Sequence, residues 1–264
     1  MTAANPVASE AVSYALVRPH VALVTIRRPE ARNAINIEVA ATLDRLVREI
    51  EASPDIWVVV LTGAGDQAFS AGADLKEVAA GRIDKLWTNA GFAGFVDATR
   101  SKPWIAAVNG AALAGGFEIA LACDLIVASE DAAFGLPEVA RGLLPAAGGA
   151  YRLPRAVPRA IALELIAAGT RLDACRALSL GLVNRVVPKN ATVEVAIQLA
   201  ASIAANAPIA VREALAIARQ AYDLDDHTLS RLSVEALARL KHTEDFQEGP
   251  RAFLENRVAR WCGK

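Results

Sequence analysis

The stretch "WIAAVNGAALAGGFEIALACDLIVAS", residues 104–129, sets the fold class. Its first part, "WIAAVNG" (104–110), is a continuous apolar run closed by Asn-Gly, the pattern of a strand buried on both faces. Residues 115–122 open on a glycine pair and read as a short helix, and "DLIVAS" (124–129) reads as a second buried strand. Strand, glycine turn, short helix and strand in such quick succession predict an α/β architecture with layered sheets. One residue is out of place. Glu118 is the only charge between Trp104 and Cys123. A carboxylate buried without a partner is costly, so its presence asks for a chemical reason.

The same alternation continues outward. "VALVTIRR" (21–28) reads as a strand ended by Pro29, and "NIEVAATLDRLVREIEAS" (36–53) as a helix with Asn36 as N-cap. "IWVVVLTGAG" (56–65) is a further buried strand, and a mostly polar-faced stretch is expected from there to about Ser101. Beyond Gly149 the character changes. Residues 160–169, 173–181 and 192–208 read as helices, 182–188 as one more short strand, and 208–222 and 228–241 as amphipathic helices. The division predicted is a core over 1–190 and a helical C-terminal region over 191–264. No internal sequence repeat stands out.

Composition bounds the function. At 264 residues and 54% hydrophobic, the chain can bury a large core. With 28 basic and 29 acidic residues it lacks the charge footprint of a nucleic-acid binder, and no nucleic-acid partner is expected. Three widely spaced cysteines fit reduced thiols, and hence a cytoplasmic protein, better than a disulfide framework or zinc cluster. The three histidines are far apart, so no metal is expected. The N-terminal "MTAANPVASEAVSYALV" lacks a basic region followed by an apolar one, so no signal peptide is expected. The long apolar tract 103–129 is broken by Asn109, Glu118 and Asp124 and is not read as a membrane span.

Three segments carry the chemistry. Gly115 and Gly116 open a helix and leave backbone N–H groups bare, a place for an anion or a developing oxyanion. In "QAFSAGADLKE" (67–77), Ala71, Gly72 and Ala73 are small enough for a ligand to approach the backbone, and Asp74 stands where a helix could start. In "FGLPEVARGLLPAAGG" (134–149), Glu138 follows Pro137 near a helix start. Two carboxylates, Glu118 and Glu138, in apolar surroundings suit general acid/base work on one substrate if the fold brings them together. No GxSxG elbow and no GxxxxGK[ST] loop occurs, and "GAGDQA" (63–68) lacks the third glycine of a dinucleotide fingerprint.

These blocks, with "RRPEARNAIN" (27–36), "YRLPR" (151–155) and "GLVNRVVP" (181–188), resemble the enoyl-CoA hydratase/isomerase, or crotonase, family over about residues 13–262. The resemblance implies a ClpP-like spiral of β-β-α turns with a helical trimerisation region at the C-terminus. It implies a homotrimer, or a hexamer built as a dimer of trimers. Acyl-CoA would be the substrate, with no cofactor and no metal. By motif position, the backbone N–H groups of Ala73 and Gly115 would form the oxyanion hole. Ala71, Ala73, Asp74 and Leu75 would contact the CoA moiety through their backbone. Glu118 would be the base on water and Glu138 the proton donor to the α-carbon, so addition of water to a 2-enoyl-CoA is expected. The alternatives are an isomerase of 3-enoyl-CoA, and a non-catalytic CoA- or RNA-binding relative. The lysine-rich helix of RNA-binding relatives has no counterpart in this chain. "NAGFAGF" (89–95) and the C-terminal "KHTEDFQEGPRAFLENRVARWCGK" are most similar to the carnitinyl-CoA dehydratase subgroup. Trp87, Phe92, Phe95 and Trp104 are candidates for an acyl pocket or for ordinary packing. Ala114, Ala147 and Ala150 depart from the glycines and threonine common in the family.

Overall fold

A computed structural model describes residues 9–264. The leader reading therefore lies partly outside the described residues, which exclude 1–8. An antiparallel pair, β1 (Val12–Arg18) and β2 (Val21–Ile26), leads into helix α1 (Ile37–Ala52). Asn36 caps α1 as expected, its side chain accepting the Val39 N–H at 2.9 Å. Three turns of one shape follow. The first is β3 (Val58–Gly63), β4 (Ala68–Ser70) and α2 (Leu75–Ala79). After a small hairpin, β5 (Trp87–Thr88) and β6 (Gly91–Phe92), the second is β7 (Trp104–Val108), β8 (Ala111–Leu113) and α3 (Gly115–Ala122). The third is β9 (Leu125–Ser129), β10 (Ala133–Gly135) and a 3-10 turn, Pro137–Arg141.

Helices α4 (Gly149–Ala156) and α5 (Arg159–Ala168) lead to β11 (Arg171–Asp173), α6 (Ala174–Ser179) and β12 (Arg185–Val187). Four helices finish the chain: α7 (Thr192–Ala204), α8 (Pro208–Ala218), α9 (Asp226–Leu240) and α10 (Glu244–Leu254).

Each turn of the spiral gives one strand to each of two sheets. The large sheet has the order β1-β2-β3-β7-β9-β12 and is parallel except at β1. The small sheet has the order β11-β10-β8-β4, with β4, β8 and β10 parallel. The inner strands of the large sheet are almost wholly apolar because both faces are covered. Val59 and Leu61 of β3, with Trp104, Ala106 and Val108 of β7, face the main core. Their neighbours Val58, Val60, Ile105 and Ala107 face a second core closed by Ala196, Ile197 and Ala200 of α7. This period-two division is what a strand between two layers must show.

The expected spiral is therefore present. One expectation is corrected: the stretch after β4 is not polar-faced, since Leu86, Phe92, Phe95 and Val96 are all buried. Among the described residues no single helix is long and apolar enough to cross a membrane. Helix α8 is tied to the spiral by Arg219, just past its end. Its guanidinium binds Asp124 at 2.7 and 2.9 Å and the carbonyl oxygen of Arg100 at 2.7 Å.

Candidate active site

The small sheet positions the site. Because β4, β8 and β10 run parallel as neighbours, the segments that leave them emerge side by side: Ala71–Asp74, Ala114–Gly115 and Leu136–Glu138. A cleft of about 690 Å³ opens there, at the carboxyl ends of parallel strands where α/β folds generally bind ligands. The residues expected to form the oxyanion hole, to contact CoA and to act as acids all line it: Ala71, Ala73, Asp74, Leu75, Gly115, Glu118 and Glu138.

Close backbone contact brings the first two segments together. A Cβ on Gly72, whose φ is +86°, would fall 2.7 Å from the Gly115 nitrogen, over the donor itself. The Gly115 amide thus lies beside the Gly72–Ala73 peptide. Among the described residues neither the Ala73 nor the Gly115 N–H has a protein acceptor. Ala71 and Asp74 have spent theirs, on the carbonyls of Arg32 (3.0 Å) and Ile35 (2.9 Å). The Asp74 side chain caps α2 through the Lys76 N–H at 3.0 Å and pairs with Arg28 at 2.9 Å. These bonds hold its carboxyl below the usual range against the opposing effect of burial, the largest single influence. Arg28 also donates to the Ala34 carbonyl at 2.7 Å, and Ile35 N–H to the Gly72 carbonyl at 2.8 Å. The "RRPEARNAIN" block is thus a brace for the loop that carries Ala73.

The acids sit opposite. Glu118, one helical turn after Gly115, is 3% exposed, and Glu138, on the 3-10 turn, is 8% exposed. Burial is the main cause that pushes Glu118 up to about 7, and the charge of Glu138 adds to it. The Gly149 N–H, 2.8 Å from Glu118 Oε1, and the Arg152 charge act in the other direction. Glu138 is also raised by burial, with nearby Arg141 opposing. Both Glu138 carboxyl oxygens are buried, and neither has a protein hydrogen-bond partner. Two raised carboxyls in one cleft can hold and move a proton near neutral pH.

The four aromatic candidates divide. The Phe92 ring packs on the helix opening, 2.4 Å from where a Cβ on Gly115 would lie, and Trp87 leans on Phe92 at 4.8 Å between ring centres. Both line the cleft. Phe95 and Trp104 pack edge to face at 5.0 Å inside the core. The sequence reading did not pick out Arg28, Arg141, Arg152 or Arg171. Arg141 and Arg171 line the cleft.

Ala114 adopts φ 51°, ψ −132°, a region that favours glycine. Holding alanine there stores strain of roughly 1–3 kcal/mol. Ala114→Gly is expected to stabilise the fold by about 1 kcal/mol, strain relief exceeding the added chain entropy. A raised denaturant midpoint at unchanged m-value is the check.

Residues 18–264 match the family described as Enoyl-CoA hydratase/isomerase. The mevalonyl-coenzyme A hydratase of Aspergillus fumigatus is 40% identical over 248 residues, 92% of each chain. The carnitinyl-CoA dehydratase of Proteus mirabilis is 39% identical over 247 residues, covering 91% of this chain and 94% of its own. The crystal structure of an enoyl-CoA hydratase from Mycobacterium tuberculosis superposes with a TM-score of 0.92 at 40% identity, over 97% of this chain and 100% of that one.

Proposed function

The chain belongs to the enoyl-CoA hydratase/isomerase family, and on that premise we propose that it adds water reversibly to the double bond of a 2-enoyl-CoA thioester. The observation that carries the reading is the meeting of two buried, raised carboxyls with two unspent backbone donors in one cleft.

The thioester oxygen would sit on the Ala73 and Gly115 N–H groups, which stabilise the enolate charge as it develops. Ionised Glu118 takes a proton from water as that water's oxygen bonds the β-carbon. Protonated Glu138 delivers a proton to the α-carbon. In dehydration the two exchange roles. The pair must therefore share one proton, which fits carboxyls that burial makes reluctant to ionise. An isomerase would need only one acid to carry the proton from carbon to carbon, and the retained pair favours the hydratase. We also propose that copies of the chain associate as a trimer through the C-terminal helices, where Val234, Phe253 and Leu254 are exposed.

The test is loss of enoyl absorbance with crotonyl-CoA, run in oxygen-labelled water. Label in the product supports a hydratase. A shifted double bond without label supports the isomerase instead. The identities give no preference for an acyl group, since relatives named for carnitinyl and mevalonyl groups match almost equally well. The exposed face of Trp87 could receive a quaternary ammonium, as a carnitinyl substrate would require. The Arg141 and Arg171 charges in the same cleft oppose a cation. Crotonyl-CoA is accordingly expected to give a higher kcat/KM than crotonobetainyl-CoA, measured side by side at two salt concentrations.

A further inference from the structure

Glu118 owes its place to the Gly149 N–H, and Gly149 begins α4 directly after an irregular turn, residues 146–148. Something must hold that turn. Arg152, on the first turn of α4, donates from Nη1 to the Ala147 carbonyl at 2.9 Å. Its Nη2 donates to the Val96 carbonyl at 2.6 Å and to Asp97 Oδ1 at 3.1 Å. A Cβ on Gly148, whose φ is +112°, would fall 1.9 Å from Nη1, so glycine there makes room for the guanidinium. The segment that Arg152 grips through Val96 and Asp97 also contains Phe92, whose ring packs on Gly115. One planar fork thus joins the turn behind the acid to the wall behind the oxyanion donor.

We infer that Arg152 is a positioning residue: it fixes the Ala147–Gly149 turn that sets Glu118 and locks that turn to the Phe92 segment. It does not touch the reacting atoms. The charged groups facing Glu118 are Glu138 from the 3-10 turn and Arg152 from α4. Arg141 and Arg171 line the same cleft, and Asp97 lies on the far side of Arg152. The Arg152 charge favours ionised Glu118, so its effect is visible in the titration of that acid.

The activity readout of the inference rests on the hydratase reading, and the titration readout does not. The test uses full-length Arg152→Gln, Arg152→Lys and Asp97→Asn. The Glu118 carboxyl is followed by infrared difference spectra, assigned with Glu118→Gln, alongside kcat and KM for crotonyl-CoA across pH. In Arg152→Gln the Glu118 midpoint is expected to rise by about half a unit or more. Its kcat is expected to fall by about ten- to a hundredfold, with KM changed less. Arg152→Lys is expected to keep the midpoint yet still lose kcat, because a point charge cannot span Ala147, Val96 and Asp97 together. Asp97→Asn removes one of the three anchors of Arg152 and is expected to lower kcat severalfold, with the midpoint held by the Arg152 charge that remains.

An unmoved midpoint in folded Arg152→Gln, or full activity in Arg152→Lys, overturns the inference. If Arg152→Gln does not fold, Arg152→Lys decides, and a kcat there equal to wild type overturns it. If the wild type hydrates no enoyl-CoA, the infrared titration alone decides the role of Arg152.

Discussion

Glu118→Gln and Glu138→Gln are each expected to lower kcat/KM for crotonyl-CoA by about 10²–10⁴-fold, the range general acid/base groups supply. The double variant should fall little further, since the two acids act as a unit on one water and one substrate. The wild-type pH profile follows from the one proton that the pair shares. Hydration needs ionised Glu118 with protonated Glu138, a one-proton state of the pair, so its rate should rise as the first proton leaves and fall again as the second does. Dehydration starts from the same one-proton state with the proton on Glu118, and because the overall equilibrium takes up no proton its kcat/KM should follow the same profile.

Stability should fall steadily as pH rises. The folded carboxyl is raised from its ordinary 4.5 to about 7, so the folded state holds this proton more tightly than the unfolded chain. The stability it contributes is complete below about 4.5 and is lost as pH rises to about 7, a change of about 3 kcal/mol. Glu118→Gln keeps the shape without the ionisation. It should therefore be the more stable protein at pH 8, with the difference closing toward pH 4. Urea midpoints of both proteins at the two pH values check the sign. Equal wild-type and variant rates would remove Glu118 from the mechanism.

The second large effect concerns the oxyanion donors. Gly116→Ala places a Cβ 2.1 Å from the Ser70 carbonyl oxygen, a backbone atom at the end of β4. Neither partner is a flexible side chain, so α3 must move away from β4. That separates the Gly115 amide from the Ala73 amide. The expected loss in kcat is about 10²–10³-fold, the usual effect of losing one such donor, with a stability loss of about 1–3 kcal/mol from overpacking. Gly81→Ala is the control. Gly81 has φ +69° but nothing within 4 Å of a Cβ, so alanine there brings backbone strain without a clash. It should lose about 1 kcal/mol of stability and keep its kcat. A normal kcat in folded Gly116→Ala would show that the donors do not need the present spacing.

Much of this was legible in the residues, for identifiable reasons. Helix α1 has an apolar stripe of full helical period and a capping asparagine, and α3 spans the same residues, 115–122, that its opening glycine pair marks in the sequence. β4, β8 and β10 have three residues each, too short for any periodicity to register. The segment 83–98 looked polar because Leu86, Phe92, Phe95 and Val96 follow no regular spacing, are interrupted by Thr88, Asn89 and two glycines, and are flanked by Asp84, Lys85 and Asp97. Glu118 and Glu138 belong to different turns of the spiral, and only the parallel neighbours β8 and β10 bring their surroundings into one cleft. Arg152 was invisible because its role lies in carbonyl oxygens, one of them 56 residues away. A backbone acceptor leaves no trace in side-chain chemistry.

The small sheet has one more consequence. Its strands β4, β8 and β10 are neighbours, so the segments leaving them are spaced by the hydrogen-bonding pitch of a sheet, about 4.8 Å. Both proposed oxyanion donors and Glu138 hang on those three strand ends. The pitch is thus a ruler set by backbone hydrogen bonds rather than by the side chains that line the cleft, and the reacting centre inherits its scale. Any retuning for a longer, bulkier or charged acyl group has to come from the segments between the graduations, 75–98 and 139–147. The chemistry and the choice of substrate are therefore free to change at different rates.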